Sequence, residues 1–168
     1  MIRHGRCADC GVMDPLVLEF DHVGEKTADV AKLVHEGYAL SRIRSEVGCC
    51  ELVCASCHRR RTARRGSTWR IDPNWAESID RPLRLRNLRF VRQRLSCASC
   101  VDCGENDMVV LDFDHTGPKR GNVTAMALDE HSIAVLDQEI SVCEIRCANC
   151  HRRRTIQRQP GHLRHHLL

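Results

Sequence analysis

Two short apolar runs, residues 16–22 (L-V-L-E-F-D-H) and 109–115 (V-V-L-D-F-D-H), pass into alternation at their ends, and each predicts a strand finishing in Asp-His. Gly24 in one copy and Gly117-Pro118 in the other break the pattern. Further on, Leu40, Ile43 and Val47, and again Ile133, Leu136 and Ile140, recur at helical spacing, so residues 40–47 and 133–140 each predict a short helix. A last helix opens at C-A-S-C-H-R-R-R-T (54–62) and at C-A-N-C-H-R-R-R-T (147–155). Ahead of all this stand C-A-D-C-G (7–11) and C-V-D-C-G (100–104), tight knuckles whose glycine tolerates positive φ. The order in each half is knuckle, hairpin, helix, second helix.

The two halves align at a constant offset of 93 without a gap, and 24 of the 56 aligned pairs from 7/100 to 62/155 are identical. That is an internal duplication. Residues 66–80, with Pro73 and Asn74, are turn-rich and read as a linker. Asp80 as N-cap and Pro82 in the first turn then open a basic amphipathic helix to about Leu95, with Leu85, Leu88, Val91 and Leu95 on or near one face. It is either a helix docked on the second half with its arginines solvated or one that contacts DNA. The predicted organisation is module 1 at 1–65, linker and basic helix at 66–95, module 2 at 96–160 and a tail at 161–168. The tail histidines, His162, His165 and His166, read as a frayed end.

Composition narrows what can hold such modules together. Among 168 residues there are one Tyr, two Trp and three Phe, too few for a large core in each half, so staples are needed. The twelve cysteines supply them. No apolar run resembles a signal segment or a membrane span, so the chain reads as cytoplasmic, with no membrane partner, and its paired C-x-x-C motifs favour zinc over disulfides. Of its 26 basic residues 23 are arginine, and they are clustered, which raises the odds of a nucleic-acid partner.

Two ligand sets follow. Cys7, Cys10, Cys54 and Cys57, and likewise Cys100, Cys103, Cys147 and Cys150, make closed four-thiolate sites for one structural Zn²⁺ per module, because four thiolates leave zinc no open position. The second set is Asp21, His22 and His58, mirrored by Asp114, His115 and His151. Closing the zinc site brings the Asp-His strand end toward the helix carrying the second histidine, so a carboxylate and an imidazole can share a divalent ion while the adjacent histidine serves as general base. The alternative is structural: Asp and His finish the strand, and His58 and His151 support the zinc ligands. Arg59, Arg60 and Arg61, Arg152, Arg153 and Arg154, with Lys26 and Lys119, form a candidate track for a phosphate backbone. Cys50 and Cys143 are expected in the core, and the repeat favours Cys100 over Cys97 as a ligand.

C-V-D-C-G-E-N-D-M-V-V-L-D-F-D-H followed by E-I-S-V-C-E-I-R-C-A-N-C-H-R-R-R-T resembles the small four-cysteine, zinc-stapled HNH endonucleases of the ββα-metal class, and residues 7–62 resemble them almost as well. The resemblance implies an α+β fold of two tandem, treble-clef-like ββα-metal modules. It implies a metal-dependent hydrolase cutting DNA phosphodiester bonds. Asp114 and His151, with Asp21 and His58, would hold a catalytic divalent ion such as Mg²⁺, Mn²⁺ or Ni²⁺, and His115 and His22 would be the general bases. One chain would act as an internal pseudo-dimer, or as a homo-oligomer. The family's middle asparagine is replaced here by Val142-Cys143 and Gly48-Cys49-Cys50, with Glu139 and Glu46 the nearest substitutes, and the first module is the one expected to have drifted. The rival reading is a non-catalytic zinc-stabilised nucleic-acid-binding module. A thiol redox protein is the third.

Overall fold

The computed structural model describes residues 2–66, 69–72, 74–159, 161 and 164. Pro73 and the tail residues His162, His165 and His166 lie outside the described residues. The chain divides into two compact units, Met1–His58 with Ile156–Leu168, and Arg59–Thr155. Both are mixed α+β.

Unit 1 contains β1 (Leu18–His22), α1 (Val30–His35), α2 (Leu40–Gly48), β2 (Cys50–Cys54) and the first turn of α3 (Ala55–Arg65). The same order returns in unit 2 as β3 (Leu111–His115), α5 (Val123–Leu128), α6 (Ile133–Ser141), β4 (Cys143–Cys147) and α7 (Ala148–Arg158), preceded by α4 (Pro82–Ser96). Only the last turn of α7, from Ile156, is counted with unit 1. The knuckle glycines Gly11 and Gly104 have φ of 75° and 76°, as their position requires.

The strands pair antiparallel, Leu18 opposite Cys54 and His22 opposite Cys50 in one sheet, Leu111 opposite Cys147 and His115 opposite Cys143 in the other. This is not a tight hairpin. The partner strand comes after two helices, and the pattern reading missed it because C-E-L-V-C and C-E-I-R-C show little apolar alternation. The short helices α1 and α5 were missed as well, although each carries its own start signal. Asp29 accepts from the N–H groups of Ala31 and Lys32, and Asn122 from those of Thr124 and Ala125, which satisfies donors the helix leaves open.

Helix α4 starts one residue later than expected: Arg81 is its N-cap, without a side-chain capping bond, and Pro82 is the first helical residue. Leu88, Val91 and Leu95 are buried in unit 2 with Val110, Leu111, Val123, Met126 and Leu136. The stretch 66–80 is more than a linker, because Trp75 is buried in that same core and Trp69 packs against it. Its turn residues masked the two largest side chains in the sequence.

The counterpart core in unit 1 is smaller, built from Leu16, Val17, Leu18, Val53 and Ile156 around the thiols. Leu40 of α2 is 69 % exposed, against its expected apolar face, whereas Ile133 at the matching place in α6 packs on the unit 2 core.

Asn87 ties α4 into this core. Fully buried, its amide donates to the carbonyls of Ala127 (3.2 Å) and His131 (2.8 Å). Asn87→Leu keeps the volume but removes the amide donor from the His131 carbonyl, while the Ala127 carbonyl keeps the Glu130 N–H (3.3 Å), so the unfolding free energy of unit 2 is expected to fall by about 1–2 kcal/mol in urea denaturation. The exposed Arg89 on the same helix, changed to Ala, is expected to shift it by less than about 0.5 kcal/mol.

Candidate metal centres and catalytic pairs

The knuckle before β1 and the junction of β2 with α3 bring Cys7, Cys10, Cys54 and Cys57 together, and Cys100, Cys103, Cys147 and Cys150 meet in the same way. Within each set all four sulfurs lie within 4.8 Å of one another. Cys10 Sγ is 3.8 Å from Cys54 Sγ, and Cys103 Sγ is 3.7 Å from Cys147 Sγ. Four sulfurs at about 2.3 Å from a tetrahedral zinc stand about 3.8 Å apart, while a disulfide needs about 2.05 Å. These sites therefore fit a metal such as zinc, one per module. The backbone N–H of Cys57 points at Cys54 Sγ (3.4 Å) and that of Cys150 at Cys147 Sγ (3.5 Å).

Charge points the same way. Burial pushes the Cys7 and Cys100 thiols up, but backbone bonds, from Cys10, Cys54 and Asp9 in one and from Cys147, Asp102 and Cys103 in the other, bring each down to about 7. Burial and then the neighbouring thiols drive Cys57 and Cys150 strongly upward. Four thiolates cannot coexist at this spacing without a cation. Cys97 lies outside the cluster and is exposed, so Cys100 is the residue in ligand position. Cys50 and Cys143 are both half-buried, Cys143 packing against the unit 2 core, and each thiol donates to a backbone carbonyl of the preceding helix, Glu46 (3.3 Å) and Glu139 (3.2 Å).

The second ligand set is drawn together through the β1/α3 and β3/α7 junctions. His58 Nε2 lies 3.3 Å from Asp21 Oδ1, and His151 Nε2 lies 3.6 Å from Asp114 Oδ1. The other ring nitrogen meets a carboxylate that sequence reading did not single out: His58 Nδ1 is 2.7 Å from Glu19, and His151 Nδ1 is 3.3 Å from Asp112. Residues two apart on a strand share a face, so L-E-F-D-H and L-D-F-D-H carried that signal. With Nδ1–H donated to the carboxylate, Nε2 turns a lone pair toward the aspartate. Two such acceptors face each other comfortably only with a proton or a metal cation between them. Donors on one ion at about 2.1 Å stand about 3.0 Å apart at a right angle and about 4.2 Å apart when opposed, and both separations fall inside that window.

His22 and His115 are held by a different partner. Each places Nε2 2.7 Å from a glutamate of the helix before the return strand, Glu46 and Glu139. Asp21 and Asp114 thus join His58 and His151, while the adjacent histidines join the glutamates, as neighbouring strand residues leave opposite faces. The Thr27 hydroxyl, the Ala28 N–H, His22 and the Thr27 N–H together hold Glu46 down to about 2. Burial pushes Glu139 up, and the N–H groups of Gly121 and Arg120 with His115 outweigh it, leaving the carboxyl below its ordinary range. Both glutamates are therefore ionised acceptors at neutral pH.

Three of the arginines after the histidines, Arg59, Arg60 and Arg154, stand against acids. All six are half-buried. Arg59 Nη1 lies 2.8 Å from Asp112, Arg60 reaches Glu105 (2.6 Å) and Asp107 (2.7 Å), and Arg154 Nε lies 3.5 Å from Asp114. Burial pushes Asp112 up, but His151, Arg59 and Arg70 hold it down to about 2. Lys26 and Lys119 are exposed in the turns after Asp-His, Lys26 within 3.4 Å of Asp29.

Among the described residues, the two cysteine sets are the groupings of three or more His, Cys, Asp or Glu ligand atoms within 4.8 Å of one another, and no helix is long and apolar enough to cross a membrane. No protein family, curated protein sequence or solved structure was found to match the chain.

Proposed function

We propose that the protein is a metal-dependent endonuclease of HNH type that hydrolyses DNA phosphodiester bonds. The observation that carries this reading is the carboxylate–imidazole–carboxylate chain beside a four-thiol centre, Glu19–His58–Asp21, repeated as Asp112–His151–Asp114. A structural histidine needs one satisfied partner; a ligand histidine needs its second nitrogen aimed at a further donor.

Held between the aspartate and Nε2 of His58 or His151, a divalent ion would supply Lewis-acid stabilisation of charge on the scissile phosphate. Glu19 and Asp112 orient the ligand imidazoles. Glu46 and Glu139 each take the Nε2–H of the other histidine, which leaves Nδ1 of His22 or His115 with the lone pair that accepts a proton from the attacking water. This assigns to the two glutamates the orienting part that the missing asparagine plays in the family resembled, with Thr27, Ala28, Arg120 and Gly121 bracing them. The four-thiol centre holds strand and helix in place.

A second reading is a zinc-stabilised module that binds nucleic acid without cutting it, its lack of cutting favoured in unit 2 by the Arg146 and Arg154 guanidiniums already paired with Asp114. Supercoiled plasmid separates the two. With Mg²⁺, Mn²⁺ or Ni²⁺ added, the zinc-loaded chain is expected to nick or linearise it; retention of plasmid on the protein without any cut, with every ion, overturns the endonuclease reading in favour of the second.

A further inference from the structure

The corner between the two short helices is built alike in both units. Gly37 and Glu130 stand at matching places with φ of 70° and 64°. The N–H that follows folds back on the first helix, Tyr38 onto the Leu33 carbonyl (3.0 Å) and His131 onto the Met126 carbonyl (3.2 Å). In unit 2, helix α4 lies over this corner. Asn87 donates to the Ala127 and His131 carbonyls, Arg81 and Arg84 reach Glu130 (2.6 and 3.4 Å), and Arg94 reaches Asp137 (2.7 Å). Ala127 is fully buried beneath it, and Ile133 packs on the same core.

The matching corner of unit 1 has no such cover among the described residues. Val34, at the place of Ala127, is 53 % exposed, Tyr38 is 42 % exposed, and Leu40, at the place of Ile133, is 69 % exposed. Large apolar side chains gathered in one exposed corner mark an interaction site, where scattered ones would not. The charges differ too. Gly37 replaces Glu130 and Arg44 replaces Asp137, so both acids that hold the α4 arginines are missing, and a cation stands in the place of one. Arg42, where unit 2 has Val135, adds another, its guanidinium 4.8 Å from the centre of the Tyr38 ring. Both arginines are exposed, and the nearby Lys32 is balanced by Glu36 (3.8 Å). A basic helix such as α4 is repelled here, and one that offers carboxylates is drawn in.

We propose that the α1–α2 corner of unit 1 docks an acidic amphipathic helix of a partner protein, its apolar side chains on Val34, Tyr38 and Leu40 and its carboxylates on Arg42 and Arg44. The shape of the occupant follows from the repeat, because the same corner in unit 2 takes a helix of 15 residues. Its charge follows from the two arginines. The α4 helix of a second copy has the wrong sign, and its apolar side chains Leu88, Val91 and Leu95 are already buried. The surface shares no residue with the Asp-His sites, so it does not depend on whether the chain cuts DNA.

Two fluorescent, helix-stapled peptides of residues 82–96 test this, one unchanged and one with its five arginines replaced by glutamate. Each is titrated with the zinc-loaded full chain and read by fluorescence anisotropy. The acidic peptide is expected to bind at least tenfold more tightly. Leu40→Ser and Arg44→Glu each weaken it at least fivefold while zinc content and circular dichroism stay as in wild type, since both side chains are exposed. Arg44→Glu, which restores an acid where unit 2 has Asp137, also strengthens binding of the unchanged peptide. Tighter binding of the unchanged peptide to wild type, acidic-peptide binding that ignores Leu40→Ser, or no binding of either peptide to the folded chain overturns the proposal. So does a concentration-dependent dimer in sedimentation that Leu40→Ser abolishes, which assigns the face to a second copy. Plasmid retention that Arg44→Glu abolishes, without acidic-peptide binding, assigns it to DNA instead.

Discussion

Removing the metal from the four-thiol centres is expected to unfold unit 1 and to loosen unit 2. Unit 1 has few large apolar side chains in its core beyond Leu16, Val17, Leu18, Val53 and Ile156, and the thiols Cys7, Cys54 and Cys57 are part of that same cluster. A core of this size does not offset the conformational entropy of ordering Met1–His58 alone, at about 1–2 kcal/mol per residue. Structural zinc contributes about 10–16 kcal/mol in small modules, and without it the four clustered thiols lose the cation that answers their charge. Unit 2 has further support, since Trp75 and the α4 residues Leu88, Val91 and Leu95 join its core. A strong chelator should therefore give two transitions in circular dichroism, unit 1 first. Cys54→Ser should abolish one zinc per chain and the first transition, and Cys147→Ser should lower the melting temperature of unit 2 without erasing its helix signal. Identical melting curves before and after complete zinc removal would exclude the role assigned to these clusters.

Replacing the histidine of the Asp-His pair is the second large effect. His22→Ala removes the proton acceptor and leaves Asp21, His58 and Glu19 intact, so cleavage is expected to fall by about 10²- to 10⁴-fold, while zinc content and binding of Mn²⁺ persist. If one module carries the catalytic ion, His115→Ala reduces cleavage far less, and the double variant matches His22→Ala alone. If both modules cut, each single variant converts linearisation into nicking and only the double variant is inert. The glutamates give an internal check: Glu46→Gln keeps a hydrogen bond to His22 but removes the charge, and it should slow cleavage less than His22→Ala does. Full activity in the double histidine variant would remove the general-base assignment altogether.

These expectations draw on two kinds of information. The duplication, the cysteine ligand sets, the strands ending in Asp-His and the helices opening at C-x-x-C were legible because each is a local pattern: chelate spacing, a period of two, or a start signal within a few residues. The return strands β2 and β4 were not, since a strand between two cysteines carries no clear alternation. Trp75 hid in a stretch rich in turn residues, and burial of a large ring outweighed the turn signals around it. The ion pairing of Arg59 and Arg60 has a similar cause. Arg59 and Arg60 lie in a basic run, but Asp112, Glu105 and Asp107, some fifty residues away in sequence, answer them in space.

What the sequence by itself determined is which atoms are available to a metal, in two matched sets, because ligand spacing is set by covalent connectivity. Which groups stand behind those atoms was decided only by the tertiary structure. Glu46 and Glu139 come to the histidines from 24 residues away, and Arg146 reaches Asp114 from 32 residues away. Electrostatic neighbours follow from distance in space, and distance in space follows from strand register and helix packing.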